Sequence, residues 1–197
     1  MSSATSNRQR ILDAASAIFS ENGLEGLSVR AIAARAGLST MGVYSHFQGK
    51  SGILAALFVD GFTRLGEAAR RAGENTPTER LLEVVVNGYI DFHRDHAAHY
   101  KLMFGVDRSQ LGNDEALQQT ASASIEKLAG SIERLLPPGQ PADLALMQAF
   151  RVWTLMHGYV TLRETGWFHH LDDLEWRSEV VSAVRQTLSG FHLQEPF

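Results

Sequence analysis

The residues that could do chemistry lie between Gly37 and Lys50. They form the segment Gly37-Leu38-Ser39-Thr40-Met41-Gly42-Val43-Tyr44-Ser45-His46-Phe47, with Lys50 three residues on. Stepped at about 100° per residue from Thr40, Val43 and Phe47 fall together and face inward. Met41, Gly42, Tyr44 and Ser45 spread over the opposite arc. That outward face carries no long charged side chain, although a short exposed helix usually needs one for solubility. Small and aromatic residues suit a surface that must approach another surface closely, and the major groove of a duplex admits a helix of this kind. Gly42 would let the backbone come near the nucleic acid. Thr40 and Met41 could read base edges or a thymine methyl. Tyr44 and His46 could donate to phosphate, and Lys50 could pair with one. Ser28, Arg30 and Ser39 sit at helix starts, where free backbone N–H groups also favour phosphate. Other roles stay open: Ser28 and Ser39 as caps, Lys50 as a solvated cation, Arg30 as an ion-pair residue, Tyr44 as a core aromatic.

These residues need elements to hold them. A helix is expected from about Arg8 to Glu21, with Ile11, Ala15, Ile18 and Phe19 as its apolar stripe and Asn22-Gly23 as its stop. A second follows the N-cap Ser28, buries Val29, Ile32 and Ala33, and ends at Gly37. A third spans Thr40 to Phe47. The last two are too short to stand alone and need the first as a platform. This is the minimal trihelical helix-turn-helix unit.

Residues 8–57 closely resemble the N-terminal domain of the TetR (tetracycline-repressor-like) family of bacterial regulators. The resemblance is carried by Ile11-Leu12-Asp13-Ala14-Ala15, Phe19, Gly23, Leu27-Ser28-Val29-Arg30, Ile32-Ala33, Ala36-Gly37-Leu38-Ser39, Val43-Tyr44-Ser45-His46-Phe47 and Lys50. The chain departs at Met41-Gly42, where the family varies freely. The run Trp153-Thr154-Leu155-Met156-His157-Gly158 resembles a Trp-x-x-x-His-Gly pattern in one subgroup's C-terminal domains. The resemblance implies a homodimer, a palindromic operator, and repression relieved by a small molecule.

Six further helices are expected: Ser51 to about Arg71, Pro77 to Arg94, a short one capped by Asp95 and ending at Phe104, Asp114 to Leu136, Pro141 to Thr165, and Asp172 to Ser189. No segment alternates as a strand would. The expected fold is all-α, about nine helices, with residues 1–50 as the helix-turn-helix domain. Residues 51–197 then form a larger helical domain for ligand binding and dimerisation.

The Pro141–Thr165 helix is apolar on several faces. Leu146, Phe150, Trp153, His157 and Thr161 repeat at helical spacing, and a helix apolar nearly all round must be covered on both sides. One side can meet its own core and the other a partner subunit. Val180, Val181, Val184 and Leu188 on the last helix would complete a four-helix contact between two copies. Phe62, Leu65, Tyr89, Phe92, His93, Tyr100, Met103, Phe104, Trp153, Met156 and His157 form an aromatic and soft apolar set. They could line a pocket for a small apolar or amphipathic effector, or simply be core. His157 could anchor a ligand, sit at the dimer contact, or be a satisfied core histidine.

Several classes are disfavoured. The 197 residues include no cysteine, which excludes disulfides, thiol catalysis and thiolate metal sites. His93, His96 and His99 diverge around a helix and no His-Glu-x-x-His pattern exists, so no metal is expected. There is no nucleophile elbow or phosphate loop, so neither an enzyme nor a cofactor is expected. The net charge is −4, distributed as +2 over residues 1–50 and −6 over residues 51–197. A nonspecific architectural DNA binder would be strongly basic. The first ten residues lack the apolar core of a signal peptide and no run approaches the roughly 18 apolar residues of a membrane span. A cytoplasmic protein with no membrane partner is therefore expected.

Overall fold

The computed structural model describes residues 6–74, 76–107, 111 and 115–189, apart from the side chain at 142. The described residues form nine helices and no strand: α1 (Asn7–Gly26), α2 (Val29–Ala36), α3 (Thr40–Tyr44), α4 (Gly49–Glu74), α5 (Thr78–Asp95), α6 (Ala97–Gly105), α7 (Glu115–Glu133), α8 (Ala142–Glu164) and α9 (Asp173–Ser189). The all-helical expectation holds. Most of the connection between the helix expected to end at Phe104 and the next, including Asp114, lies outside the described residues.

The chain divides into two compact units. One comprises residues 1–63 and 96–121, the other residues 64–95 and 122–197. In the first, α1 packs on α2, α2 on α3, and α6 on α1. Ile11, Ala15, Ile32, Val43 and Ile53 are fully buried there. The Ser6 hydroxyl starts α1 by accepting from the Gln9 amide at 3.2 Å. The expected stop at Asn22-Gly23 is a break rather than an end. Gly23 adopts φ 65°, and one further helical turn follows to Gly26.

Gly37 closes α2 in the left-handed conformation at φ 65°, ψ 38°. The Leu38 amide then donates back to the Ala33 carbonyl at 2.9 Å, which satisfies the end of the helix. Arg10 on α1 adds a second restraint by donating to the Ala36 carbonyl at 2.6 Å. A Cβ on Gly37 would lie 3.0 Å from that guanidinium. A Gly37→Val substitution forces a β-branched residue into the left-handed region and crowds Arg10. It is expected to cost about 2 kcal/mol and to lower Tm by roughly 4–8 °C. An unchanged thermal midpoint would contradict this account of the turn.

On the other side of this unit α6 lies against α4. His99 Nε2 is 3.0 Å from Asp60 Oδ2. A Cβ on Gly61 would come 2.5 Å from the Met103 sulfur, so glycine allows the close approach. Asp95 is not the cap of α6. His96 holds that position with no capping hydrogen bond from its side chain, and the Asp95 carboxylate is engaged by Arg94 at 2.8 Å.

In the second unit α5, α8 and α9 pack on one another. Leu81, Val86, Val152, Val180 and Val184 have almost no exposed surface. A reciprocal capping box opens α9: the Glu175 amide donates to Asp172 at 2.8 Å and the Asp172 amide to Glu175 at 3.0 Å. Arg177 ties α9 to α5 by donating to Asn87 at 3.0 Å and Asp91 at 2.8 Å. Among the described residues no helix is long and apolar enough to cross a membrane.

Candidate nucleic-acid interface

The short connection between α2 and α3 places the candidate residues. Ser28 begins α2, its hydroxyl accepting from Ala31 at 3.1 Å. Ser39 begins α3, its hydroxyl accepting from Gly42 at 3.0 Å. Both serines are caps and both are exposed, so capping leaves their outer sides open to a further partner. The third helix is shorter than expected. It ends at Tyr44, where the Ser45 hydroxyl turns back to the Gly42 carbonyl at 2.8 Å. The Phe47 amide still reaches the Val43 carbonyl at 3.0 Å, so the chain makes one more turn through Phe47.

Val43 and Phe47 are buried. Met41 is 75% exposed and Tyr44 57%. Thr40, Ser45, His46 and Arg30 are exposed as well. Gly42 is half-buried, and a Cβ there would make only ordinary contact with Ser39 and Leu38, at 3.4 and 3.8 Å. Large exposed apolar and aromatic side chains on so short a helix lose stabilisation unless something covers them. The ten candidate residues contain no carboxylate. The nearby acid Glu21 is held by a bidentate contact with Arg35, at 2.6 and 2.7 Å. That hydrogen bond lowers the Glu21 carboxyl below its usual range.

Lys50 differs from the rest. Its ammonium donates to the Leu24 carbonyl at 2.7 Å and the residue is half-buried. It closes the last turn of α1, so its first role is to fix the start of α4 on α1. Two of its three donors remain for other partners. Sequence reasoning missed two neighbours, Arg10 and Arg8. Arg10 braces α2 as described above, and the Arg8 guanidinium sits 5.2 Å from the centre of the Phe47 ring. The available signal was an Arg-x-Arg pair just ahead of the apolar stripe of α1.

The aromatic set divides between the two units. Phe62, Tyr100, Met103 and Phe104 belong to the first. Ring centroids are 5.7 Å apart for Phe62 and Phe104, and 4.8 Å for Tyr100 and Phe104. Leu65, Tyr89, Phe92, His93, Trp153, Met156 and His157 belong to the second. There His93 Nε2 lies 3.3 Å from Glu164, and the Trp153 and His157 rings are 6.5 Å apart. Among the described residues no group of three His, Asp or Glu is placed to hold a metal.

Burial, and secondarily the nearby His93, lower the basicity of His157 below the usual 6.5. The folded chain therefore resists protonation there more than the unfolded chain does. Its contribution is complete above pH 6.5 and declines as pH falls below that value. A His157→Gln variant is expected to lose less Tm than the parent between about pH 7.5 and about pH 5.5. Equal losses would remove His157 from the acid response.

The faces expected at a subunit contact are only partly outward. Leu146 is 38% and Phe150 45% exposed, and Thr161 is exposed, while Trp153, His157, Val181 and Leu188 are half-buried. Val180 and Val184 are turned inward with no exposed surface, because they seat α9 on the chain's own core. Met147, Leu162 and Leu174, absent from the expected set, are exposed large apolar residues of α8 and α9.

A capped two-helix unit on a third helix, joined by a left-handed glycine and exposing an uncharged helix face, defines a helix-turn-helix DNA-binding protein. Residues 11–57 match the model of the tetR family of bacterial regulatory proteins, and residues 82–192 match a tetracyclin repressor-like C-terminal domain. The chain belongs to the TetR family and is a DNA-binding transcriptional regulator. It is 30% identical to the HTH-type transcriptional regulator BetI of Serratia proteamaculans over 141 residues, covering 68% of this chain and 70% of BetI. A protein of unknown function from Rhodococcus sp. RHA1 superposes with a TM-score of 0.78 at 25% identity, over 95% of each chain. SmeT, solved as a triclosan complex, superposes with a TM-score of 0.64 at 23% identity, over 93% of this chain and 90% of SmeT.

Proposed function

We propose that the chain is a cytoplasmic, homodimeric repressor that leaves a palindromic operator when a small apolar or amphipathic effector binds. The observation that carries this reading is the outward face of α3. Met41 and Tyr44 stand exposed beside Gly42 with no carboxylate among the candidate residues, a surface suited to the major groove. In this reading residues 1–50 bind DNA and residues 51–197 hold the effector and the dimer contact. Thr40 and Met41 meet base edges, and Gly42 lets the backbone come near the DNA. Ser28, Arg30, Ser39, Tyr44, Ser45, His46 and the free donors of Lys50 meet the backbone.

Dimerisation is supported by the exposed apolar residues Leu146, Met147, Phe150 and Leu162 on α8 and Leu174 on α9. Two copies related by a two-fold axis would present two recognition helices to half-sites about 34–36 Å apart. Effector response is supported by SmeT, which is similar in fold and was solved with triclosan. For release, the effector must bind the DNA-incompetent arrangement more tightly than the competent one. α4 is the natural carrier, since only Gln48 separates its first residue from Phe47.

Selection of bound sequences from a random duplex library, at physiological salt, tests the reading. Enrichment of an inverted repeat with half-sites one helical turn or a multiple apart is expected. Recovery of DNA without sequence preference would leave only nonspecific binding.

A further inference from the structure

Gln148 on α8 is fully buried, and neither its amide nitrogen nor its amide oxygen has a hydrogen-bond partner among the described residues. Buried side-chain amides are almost always satisfied, because a lost donor or acceptor is costly in a dry interior. The rest of the buried face of α8 is Ala145, Ala149, Val152, Met156 and Val160. α5 and α9, which pack on α8, bury apolar and aromatic residues such as Leu81, Val85 and Val86 on α5 and Val180 and Val184 on α9. Gln148 also lies far from the polar end of this unit. Glu164, which meets His93, is sixteen residues further along α8, roughly 24 Å at the rise of an α-helix.

We infer that Gln148 is the polar anchor of the effector site, an inference that rests on the proposed effector response. An unsatisfied amide held among apolar side chains selects by charge and by hydrogen-bond pattern. A charged ligand would enter without a counter-ion and is excluded. A neutral group presenting a donor and an acceptor side by side pairs with both atoms of Gln148. The effector class is therefore an uncharged amide-like molecule, a carboxamide or lactam, on an apolar body. The two alanines beside Gln148 keep side-chain bulk low at the anchor. Sequence reasoning passed over this residue because a glutamine in a helix is ordinarily on the surface.

Two measurements test the inference. First, with no added compound, Gln148→Met is expected to raise Tm by about 5 °C, since it replaces an unsatisfied amide by an apolar chain of similar shape. An unchanged or lowered Tm means the amide is satisfied within the fold, and overturns the proposal. Second, apolar primary carboxamides of about six to ten carbons are titrated against the parent and Gln148→Met, beside the matching methyl ketones and carboxylates. The parent is expected to bind carboxamides about tenfold or more tighter than ketones and to ignore carboxylates, and Gln148→Met to lose that preference. No carboxamide binding, equal binding of ketones, or an unchanged preference in the variant overturns the anchor. Operator release is recorded separately by anisotropy of a labelled duplex. Compounds that release DNA equally from parent and variant leave effector response standing and remove Gln148. A carboxamide that binds through Gln148 without releasing DNA keeps the site and removes the release.

Discussion

A Met41→Glu variant is expected to fold as the parent does and to lose at least about a hundredfold in operator affinity. Met41 is 75% exposed, so its replacement removes almost no packing from the chain's own core. The turn that holds it depends on the Ser39 cap and on Gly37, neither of which is touched. In the proposed complex the new carboxylate would enter a groove lined by phosphates and accepting base edges. A single unsuitable base contact costs about 1–3 kcal/mol. A two-fold dimer makes the same error twice, and about 2.7 kcal/mol already corresponds to a hundredfold. Anisotropy titration of the selected duplex, beside a thermal melt of each protein, checks the result. A variant with parental Tm and parental affinity would take α3 out of the groove.

The second large effect concerns the outer face of α8. The double substitution Leu146→Asp, Phe150→Glu is expected to give a folded monomer in sedimentation and to weaken operator binding by more than about a hundredfold. Both residues are substantially exposed in the single chain, at 38% and 45%. Four acidic groups placed against one another across a two-fold axis oppose association, and burying each unpaired carboxylate is costly. Without the dimer, the second recognition helix is no longer held beside the first at high effective concentration. The contrast with Val184→Glu is informative. Val184 has no exposed surface, so its replacement should unfold the protein rather than split a dimer. A double variant that sediments as the parent does would move the contact to another face.

The helix-turn-helix unit was legible because its determinants are local. Ser28 and Ser39 cap the helices they precede, Gly37 takes the left-handed turn, and Val43 and Phe47 fall inward at the expected period. Lys50 was half legible. Its charge and position suggested phosphate, but its acceptor is a carbonyl of α1, 26 residues earlier, which no periodicity reveals. The same limit governs α9. Periodicity marked Val180 and Val184 as apolar, yet only tertiary packing decides whether an apolar face meets its own core or a second chain. The aromatic set illustrates this again. Phe62 and Leu65 are neighbours on one helix, but they fall in different units because α6 settles on the first part of α4. Asp95 lost the cap of α6 to His96 because the adjacent Arg94 takes its carboxylate. Gln148 was invisible for the opposite reason: residue type argued for a surface and packing placed it inside.

In the proposed complex two α3 helices in a two-fold pair read the DNA. Native mass measurement of the protein on the selected duplex tests it most directly, using one duplex with both half-sites and another with one half-site scrambled. Two chains bound together on the intact duplex, with affinity reduced by at least about a hundredfold when one half-site is lost, is the predicted result. A single chain bound to one half-site with undiminished affinity would contradict it.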